Sequence, residues 1–510
     1  MQTGLLKRID PVILIIALIN VAARLLVYDN LEYHRDELLY LSLGQHPDFG
    51  YATVPPLIGW ISFLLQHLFS NSLFAIRLFA SLLGGVMIFL VASIARELGG
   101  TRYSAILAAT GLTVSGFFMR TFFLFHPVHI EVFLWTICLL MIIKFINTGR
   151  HGFLIWFGIA AGFALLNKYL AGLLFMGLLL IVPLTQHRDV FRNRYLWIGM
   201  MTAGLVFLPN LVWQAAHGFP VFNHISELYD TQLVHMNAGV FLTEQLFLPF
   251  VGSIFIISGL IYLLADREAR RFRFLGFLSL LVVVALMLLK GKSYYTLGIM
   301  PLLIAAGGTA YDKWFRNRTL RVLFPLAVVL VAIPGVPAAI PVWDKEGLTT
   351  YFAVLDENYG LDLGKRFEDG SIHSLPQDYA DMIGWEELAA LTDSAYRMIE
   401  DKEASLIYAE NYGQAGAVTI IGRKYGLPEA VSFHESFRYW FPRDFPVEIT
   451  AIIYINHILG EDVRELFSEI SLIGTISDRD AREFGAAVYL CENPVTSFNL
   501  FWKERTVNIR

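Results

Sequence analysis

Apolar residues along this chain fall into long uninterrupted runs rather than the alternation of a half-buried strand. Eleven runs stand out, near residues 11–28, 73–95, 103–122, 127–147, 152–167, 169–186, 195–216, 238–265, 272–289, 294–311 and 319–341. A helix needs about 20 mostly apolar residues to cross a ~30 Å hydrocarbon core, so the pattern predicts about eleven transmembrane helices. The runs 152–167 and 169–186 are short, and only Asn167-Lys168-Tyr169 separates them, which leaves their division open. Past residue 341 the pattern changes. Leu406–Ala409 and Ile452–Ile455 read as buried strands and Trp385–Ile399 as a helix. The expectation is a polytopic α-helical membrane domain over 1–341 followed by a soluble α/β domain over 342–510.

Composition agrees. Hydrophobic residues make up 56% of the 510 and charged residues 16%, against roughly 25% charged in soluble domains. The net charge of −5 argues against a nucleic-acid partner. It also hides a split: residues 1–341 carry 24 Lys/Arg and 15 Asp/Glu, whereas 342–510 carry 15 and 29. The two cysteines, Cys138 and Cys491, are too few and too far apart in sequence for a cysteine metal site. The first run has no small-residue cleavage pattern after it and reads as a retained anchor.

Lys and Arg in short loops set orientation. With the N-terminus in the cytoplasm, 17 of the 24 cations of 1–341 fall on the cytoplasmic side, beginning with Lys7 and Arg8. This places 342–510 outside, in the periplasm or its equivalent. Arg24 sits within the first run, and Arg35, Arg77, Arg120, Lys168, Lys290 and Lys292 fall at the outer boundary. Singly, each reads as a snorkelling side chain; as a set they suggest a site for an anion at membrane level, a lipid phosphate above all.

The outer loop 29–72 contains Tyr33-His34-Arg35-Asp36-Glu37-Leu38-Leu39-Tyr40-Leu41, then Gly50-Tyr51-Ala52-Thr53-Val54-Pro55-Pro56-Leu57. Leu38, Leu39, Leu41 and Leu43 after a charged start predict a short helix along the membrane interface. Asp36 and Glu37 read either as solvated loop charges or, beside a membrane that would desolvate them, as candidate bases. Glu131, an acid inside a spanning run after His126-Pro127-Val128-His129-Ile130, is a functional candidate by its cost, or the partner of Arg120 or Arg77 in an ion pair.

These stretches resemble the bacterial branch of glycosyltransferase family 39, of the GT-C fold, akin to protein O-mannosyltransferases and aminoarabinose transferases. The resemblance covers nearly the whole chain. It rests on Asp36-Glu37 and the Gly50…Pro55-Pro56-Leu57 stretch, on Leu165-Leu166-Asn167-Lys168-Tyr169, and on Leu208-Pro209-Asn210-Leu211-Val212-Trp213-Gln214 with His217-Gly218-Phe219-Pro220. Gly291-Lys292-Ser293-Tyr294-Tyr295, Asn411-Tyr412-Gly413-Gln414-Ala415-Gly416-Ala417 and Tyr425-Gly426-Leu427-Pro428 complete it. One position departs: many relatives carry His before Pro-Pro, and here it is Val54.

The resemblance implies transfer of a sugar from a polyprenyl-phosphate donor to a glycan, lipid or protein acceptor on the outer face, with inversion at the anomeric carbon. It implies Asp36 as general base, with Glu37 and Glu131 beside it in catalysis. Lys168, Lys292, Arg120, Lys290 and Tyr295 would hold the donor phosphate, and Arg35, Tyr294 and His129 would contact substrate. Glu131 would bind acceptor, orient Asp36 or help hold a cation. A divalent metal ion would draw on His126, His129 and Glu131, with His34 and Asp36 as further ligands; relatives differ in needing one. The segment 342–510 has no phosphate loop or nucleophile motif and is expected to recognise acceptor or cap the structure. A transporter or flippase of polyprenyl-linked sugars would share the spans and cations, but it predicts paired broken helices or repeats, which the sequence does not display. A non-catalytic membrane scaffold leaves Asp36-Glu37 and 292–295 without a purpose.

Overall fold

The computed structural model describes residues 10–367, 370–507 and 509; Lys7 and Arg8 lie outside the described residues. The chain packs as two units. The first comprises residues 10–28, Val54–Leu57 and Ile76–Val342, and the second Asp29–Thr53, Ile58–Ala75 and Trp343–Arg510. The outer loop therefore folds largely with the C-terminal segment, although its sequence position lies among the apolar runs.

In chain order the helices are α1 (Pro11–Leu25), α2 (Arg35–Gln45), α3 (Leu57–Phe69), α4 (Leu73–Glu97), α5 (Arg102–Thr113), α6 (Gly116–Thr121), α7 (Pro127–Thr148), α8 (Gly152–Asn167), α9 (Ala171–Ile181), α10 (Arg194–Ala216) and α11 (Pro220–Thr231). Then come α12 (Ala238–Phe247), α13 (Ser253–Ala265), α14 (Arg273–Leu288), α15 (Met300–Trp314), α16 (Arg318–Ala332) and α17 (Val336–Ala339). Every apolar run is helical, but several are broken. Among the described residues five helices are long and apolar enough to cross a membrane: Leu73–Glu97, Pro127–Thr148, Arg194–Ala216, Arg270–Leu288 and Arg318–Ala339. The run 238–265, expected as one span, bends by 93° between α12 and α13. Pro249 supplies no N–H there, and Phe250 adopts a left-handed φ of 53°. Hydropathy alone does not reveal this bend. The two short runs after 151 are separate helices, because Lys168 is extended and ends α8.

The second unit adds α18 (Lys345–Tyr359), α19 (Gln377–Ala380), α20 (Trp385–Met398), β1 (Ser405–Ala409), α21 (Tyr412–Ile420), β2 (Ala451–Asn456), α22 (Glu461–Leu466), β3 (Phe467–Thr475), β4 (Ala487–Pro494) and α23 (Phe498–Thr506). The sheet order is β1-β2-β4-β3. β1 and β2 are parallel, with Leu406 opposite Ile452, and the other pairs are antiparallel. A parallel pair requires a crossover, and the β1–β2 connection carries α21. The two strands read from sequence are the inner-face runs β1 and β2. β3 escaped notice because its residues are mostly exposed and carry no continuous apolar signal.

The short helix expected in the outer loop is α2, and its leucines pack against protein. Leu38, Leu39, Leu41 and Leu43 are all buried, and α2 packs against α21. Its apolar residues have a protein partner that local sequence cannot reveal. The approach is close enough to require glycine. A Cβ on Gly416 would stand 2.9 Å from Leu38 Cβ and 3.1 Å from its carbonyl carbon, and one on Gly413 would stand 2.8 Å from Arg35 Cγ. Backbone cannot yield as a flexible side-chain tip can, so Gly416→Val should force α2 from α21. The expected loss is about 1–3 kcal/mol, read as earlier thermal unfolding of the purified protein. Gly172→Ala, where an added Cβ meets nothing within 4 Å, should be near neutral; equal effects of the two substitutions would refute the close-packing account.

Candidate active site

Asp36 and Glu37 occupy the first turn of α2, where the positive end of the helix favours acidic side chains. Their roles diverge. His34 is the N-cap: its Nδ1 accepts from the Asp36 N–H at 3.1 Å, and Glu37 Oε2 accepts from the His34 N–H at 2.9 Å. This is a capping box with histidine in the usual Ser/Thr position. Glu37, fully buried, thus fixes the start of the helix. Asp36 is left to point elsewhere. Its Oδ1 accepts a hydrogen bond of 2.8 Å from the hydroxyl of Tyr412, and among the described residues Oδ2 has no hydrogen bond.

The C-terminal segment surrounds this turn. Arg35 lies over the Tyr412 ring at 4.4 Å, and the ring stacks on His434 with centroids 5.3 Å apart. The Arg35 N–H donates to the Asp381 carbonyl at 2.9 Å. The Asp381 carboxylate accepts from Arg482 Nη1 at 3.1 and 3.2 Å and stands 3.9 Å from His34 Nε2. Burial pushes the Asp381 carboxyl above the usual range, against the pull of His34, Arg482 and Arg35. Glu32 reaches α20, its Oε2 accepting from the Trp385 and Glu386 N–H groups at 2.7 and 2.9 Å. Tyr51 closes the other end of α2, donating to the Leu43 and His46 carbonyls. Residues of the segment 342–510, expected to recognise acceptor or cap the structure, therefore touch Asp36.

A second cluster lies within the first unit. Asn167 Nδ2 donates to the Pro127 carbonyl at 2.8 Å, tying the end of α8 to the start of α7. This places Lys168 Nζ 3.1 Å from Glu131 Oε2, one turn along α7. Among the described residues Glu131 thus pairs with Lys168, not with Arg120 or Arg77, the partners considered from sequence. Glu131 Oε1 is buried and has no hydrogen bond among the described residues. Lys168 also stands over the rings of Tyr295 at 4.5 Å and Tyr294 at 5.3 Å. Next to it, Tyr169 accepts from Gln214 and donates to Asn210, which accounts for the Leu-Pro-Asn…Gln stretch of α10.

The turn 290–293 follows α14. Its end is a Schellman motif: the Gly291 N–H bonds to the Leu286 carbonyl and the Lys290 N–H to the Met287 carbonyl. Lys290 itself takes the left-handed φ of 56° that glycine usually supplies, and its ammonium donates to the Val234 carbonyl at 3.2 Å. Half-buried Lys292 caps the short helical stretch Ser293–Gly298. That stretch is held by α12: Ser293 Oγ donates to Glu244, and Thr296 Oγ1 to Gln245 Oε1 at 2.6 Å. Glu244 was missed from sequence, although an acid inside an apolar run is the same signal that singled out Glu131.

The six outer-boundary cations do not act as one set. Arg77 donates to the Tyr28 carbonyl and covers the Phe123 ring, Arg120 reaches the Ala339 carbonyl at 3.5 Å, and Arg35 belongs to the Tyr412 cluster. Lys168 stands over the tyrosine pair, and Lys292 precedes Tyr294 by two residues in the chain. The metal reading does not fit. His126 Nδ1 accepts from the Val128 N–H and His129 Nδ1 from the His126 N–H, another capping box, with the rings 5.6 Å apart. Among the described residues no three His, Cys, Asp or Glu side chains are grouped to hold a metal ion.

Residues 53–213 match a family model described as dolichyl-phosphate-mannose-protein mannosyltransferase. The lipid A galacturonosyltransferase RgtD of Rhizobium johnstonii is 26% identical over 330 residues, 60% of this chain and 68% of that protein. The fold resembles that of ArnT from Cupriavidus metallidurans bound to undecaprenyl phosphate, with a TM-score of 0.64 at 13% identity over 93% of this chain and 97% of that one. It also resembles the Archaeoglobus fulgidus oligosaccharyltransferase AglB, with a TM-score of 0.50 at 14% identity over 82% of this chain and 64% of that one. With its apolar helices, its small C-terminal sheet and these relatives, the chain is a multi-pass membrane glycosyltransferase of the GT-C fold.

Proposed function

We propose that this enzyme transfers a glycosyl group from a polyprenyl-phosphate carrier to an acceptor hydroxyl at the outer face of the membrane, with inversion and with Asp36 as general base. The observation that carries this reading is the state of the Asp36 carboxylate: one oxygen held by Tyr412, the other without a hydrogen bond among the described residues. An unbonded carboxylate oxygen can take a proton from an attacking hydroxyl. As the acceptor oxygen bonds to the anomeric carbon, the bond from that carbon to the phosphate oxygen breaks, and the electron pair leaves on the lipid phosphate.

The leaving group gains negative charge, so it calls for cations rather than an acid. Lys168 and Lys292 take that role, with Tyr294 and Tyr295 lining the donor site and Glu131 holding Lys168 in place. Arg120 and Lys290 serve the backbone carbonyls they contact, and Glu37 serves the start of α2. The acceptor is a lipid-linked glycan, for which the lipid A of the named relative is the first probe. The enzyme resides in the inner membrane with residues 343–510 on its outer side.

The test is purified enzyme in lipid nanodiscs with polyprenyl-phosphate-linked galacturonic acid or mannose and lipid A. Mass spectrometry should find one added sugar on the acceptor and free lipid phosphate. Movement of the intact lipid-linked sugar across sealed vesicles, with no sugar transferred, would establish the transporter instead. Orientation is checked separately. Both native cysteines are buried, and burial pushes the Cys491 thiol up to about 12, so the background is unreactive. Ser394→Cys, on the exposed face of α20, should react with an impermeant thiol reagent in right-side-out vesicles. Labelling confined to inverted vesicles would reverse the topology.

A further inference from the structure

We propose that Tyr412, contributed by the C-terminal segment, is the positioning residue of the catalytic base: its hydroxyl fixes one oxygen of Asp36 so that the other faces the acceptor. The inference rests on the reading of Asp36 as base.

Four observations converge on it. The Tyr412 hydroxyl lies 2.8 Å from Asp36 Oδ1, a contact between residues 376 apart in sequence. The phenol is itself immobilised, with Arg35 over one part of the ring and His434 stacked on it, and with the Tyr412 N–H donating to His434 Nδ1 at 3.3 Å. Its backbone is fixed by α21, whose first turn is capped by Asn411 Oδ1 accepting from the Gly413 and Gln414 N–H groups. Asn411 and Gln414 are in turn held by buried Glu483, at 3.1 and 2.7 Å. Finally, the glycines at 413 and 416 bring α21 against α2 closely enough for the hydroxyl to reach. An aspartate at a helix start has two rotatable bonds; a rigid donor on one oxygen removes that freedom and leaves a single oxygen for proton transfer.

Tyr412 serves as donor and not as an acid. Burial, with Asp36, Glu435 and Asp381 nearby and only Arg35 opposing, pushes its hydroxyl well above the ordinary tyrosine range. It therefore keeps its proton throughout the pH range of turnover. The charged and titratable groups facing the pair are Arg35 and His34 from the outer loop, Asp381 from α19's end, His434 and Glu435 after β1, and, through Arg35, Glu483.

Tyr412→Phe removes the hydroxyl and retains the ring, the His434 stack and the Arg35 contact, so the fold should persist. A hydrogen bond to a charged group is lost, which should lower kcat by about 10- to 100-fold while KM for the lipid-linked donor stays unchanged. The acid limb of the rate–pH profile should move to higher pH, because a donor that favours the charged base has gone. A merely structural tyrosine would shift neither that limb nor kcat selectively. The double variant Asp36→Asn/Tyr412→Phe should be no slower than Asp36→Asn alone, since Tyr412 acts through Asp36. Wild-type kcat and acid limb in Tyr412→Phe, or a further rate loss in the double variant, would overturn the proposal. Wild-type turnover by Asp36→Asn would instead remove the base reading on which it stands.

Discussion

Asp36→Asn should leave the enzyme folded and able to bind its lipid-linked donor, yet transfer should fall by about 10²–10⁴-fold, the usual consequence of losing a general base. Asn keeps the size of the side chain, and its amide oxygen can still accept from Tyr412. What disappears is the capacity to take a proton. Glu37→Gln is the informative companion. Its carbonyl oxygen can still accept from the His34 N–H, as capping boxes with Gln do, so turnover should remain within a few fold of wild type. Single-turnover rates with donor prebound separate the two. Comparable collapse in both variants would mean that Glu37 shares the chemistry, and an active Asp36→Asn would remove Asp36 from it.

The second large effect is expected at Lys168. Its ammonium is the counter-charge of Glu131, whose carboxylate is buried in α7. Lys168→Met leaves that carboxylate without a partner, a change that typically costs about 3–5 kcal/mol. The purified variant should unfold at markedly lower temperature and bind undecaprenyl phosphate more weakly. Adding Glu131→Gln to the same chain removes the orphaned charge and should restore most of the stability. It should not restore affinity for the phosphate, because the cation is still missing. Affinity that returns with stability would make the pair a structural bridge alone, and unchanged affinity in Lys168→Met would take the residue out of the donor site.

The resemblance carried by short motifs supplied the class of chemistry, and the structure explains why those motifs have their residues. Asn167-Lys168 works because Asn167 anchors on Pro127 and so delivers Lys168 to Glu131. Gly413-x-x-Gly416 works because two helices approach there. Asp36 and Glu37 looked equivalent as neighbours in sequence, but a helix start assigns them opposite duties, one to the cap and one to the open side.

Sequence by itself determined the apolar helical runs, the change of texture after residue 341, the buried strands β1 and β2, and the identity of the acids and cations worth following. These follow from local quantities: the hydrocarbon thickness a run must match, the charge of each segment, and the continuity of a buried strand. Tertiary structure decided the rest. It buried the leucines of α2 against protein. It gave Glu131 to Lys168, broke the run 238–265 at Pro249, dissolved the metal site into two capped turns, and brought Tyr412 to Asp36. For α2 and Asp36 the partner lies hundreds of residues away and leaves no trace in periodicity or composition. In the other cases the residues are nearer in sequence, and a side chain's role depends on which partner meets it once the chain has folded.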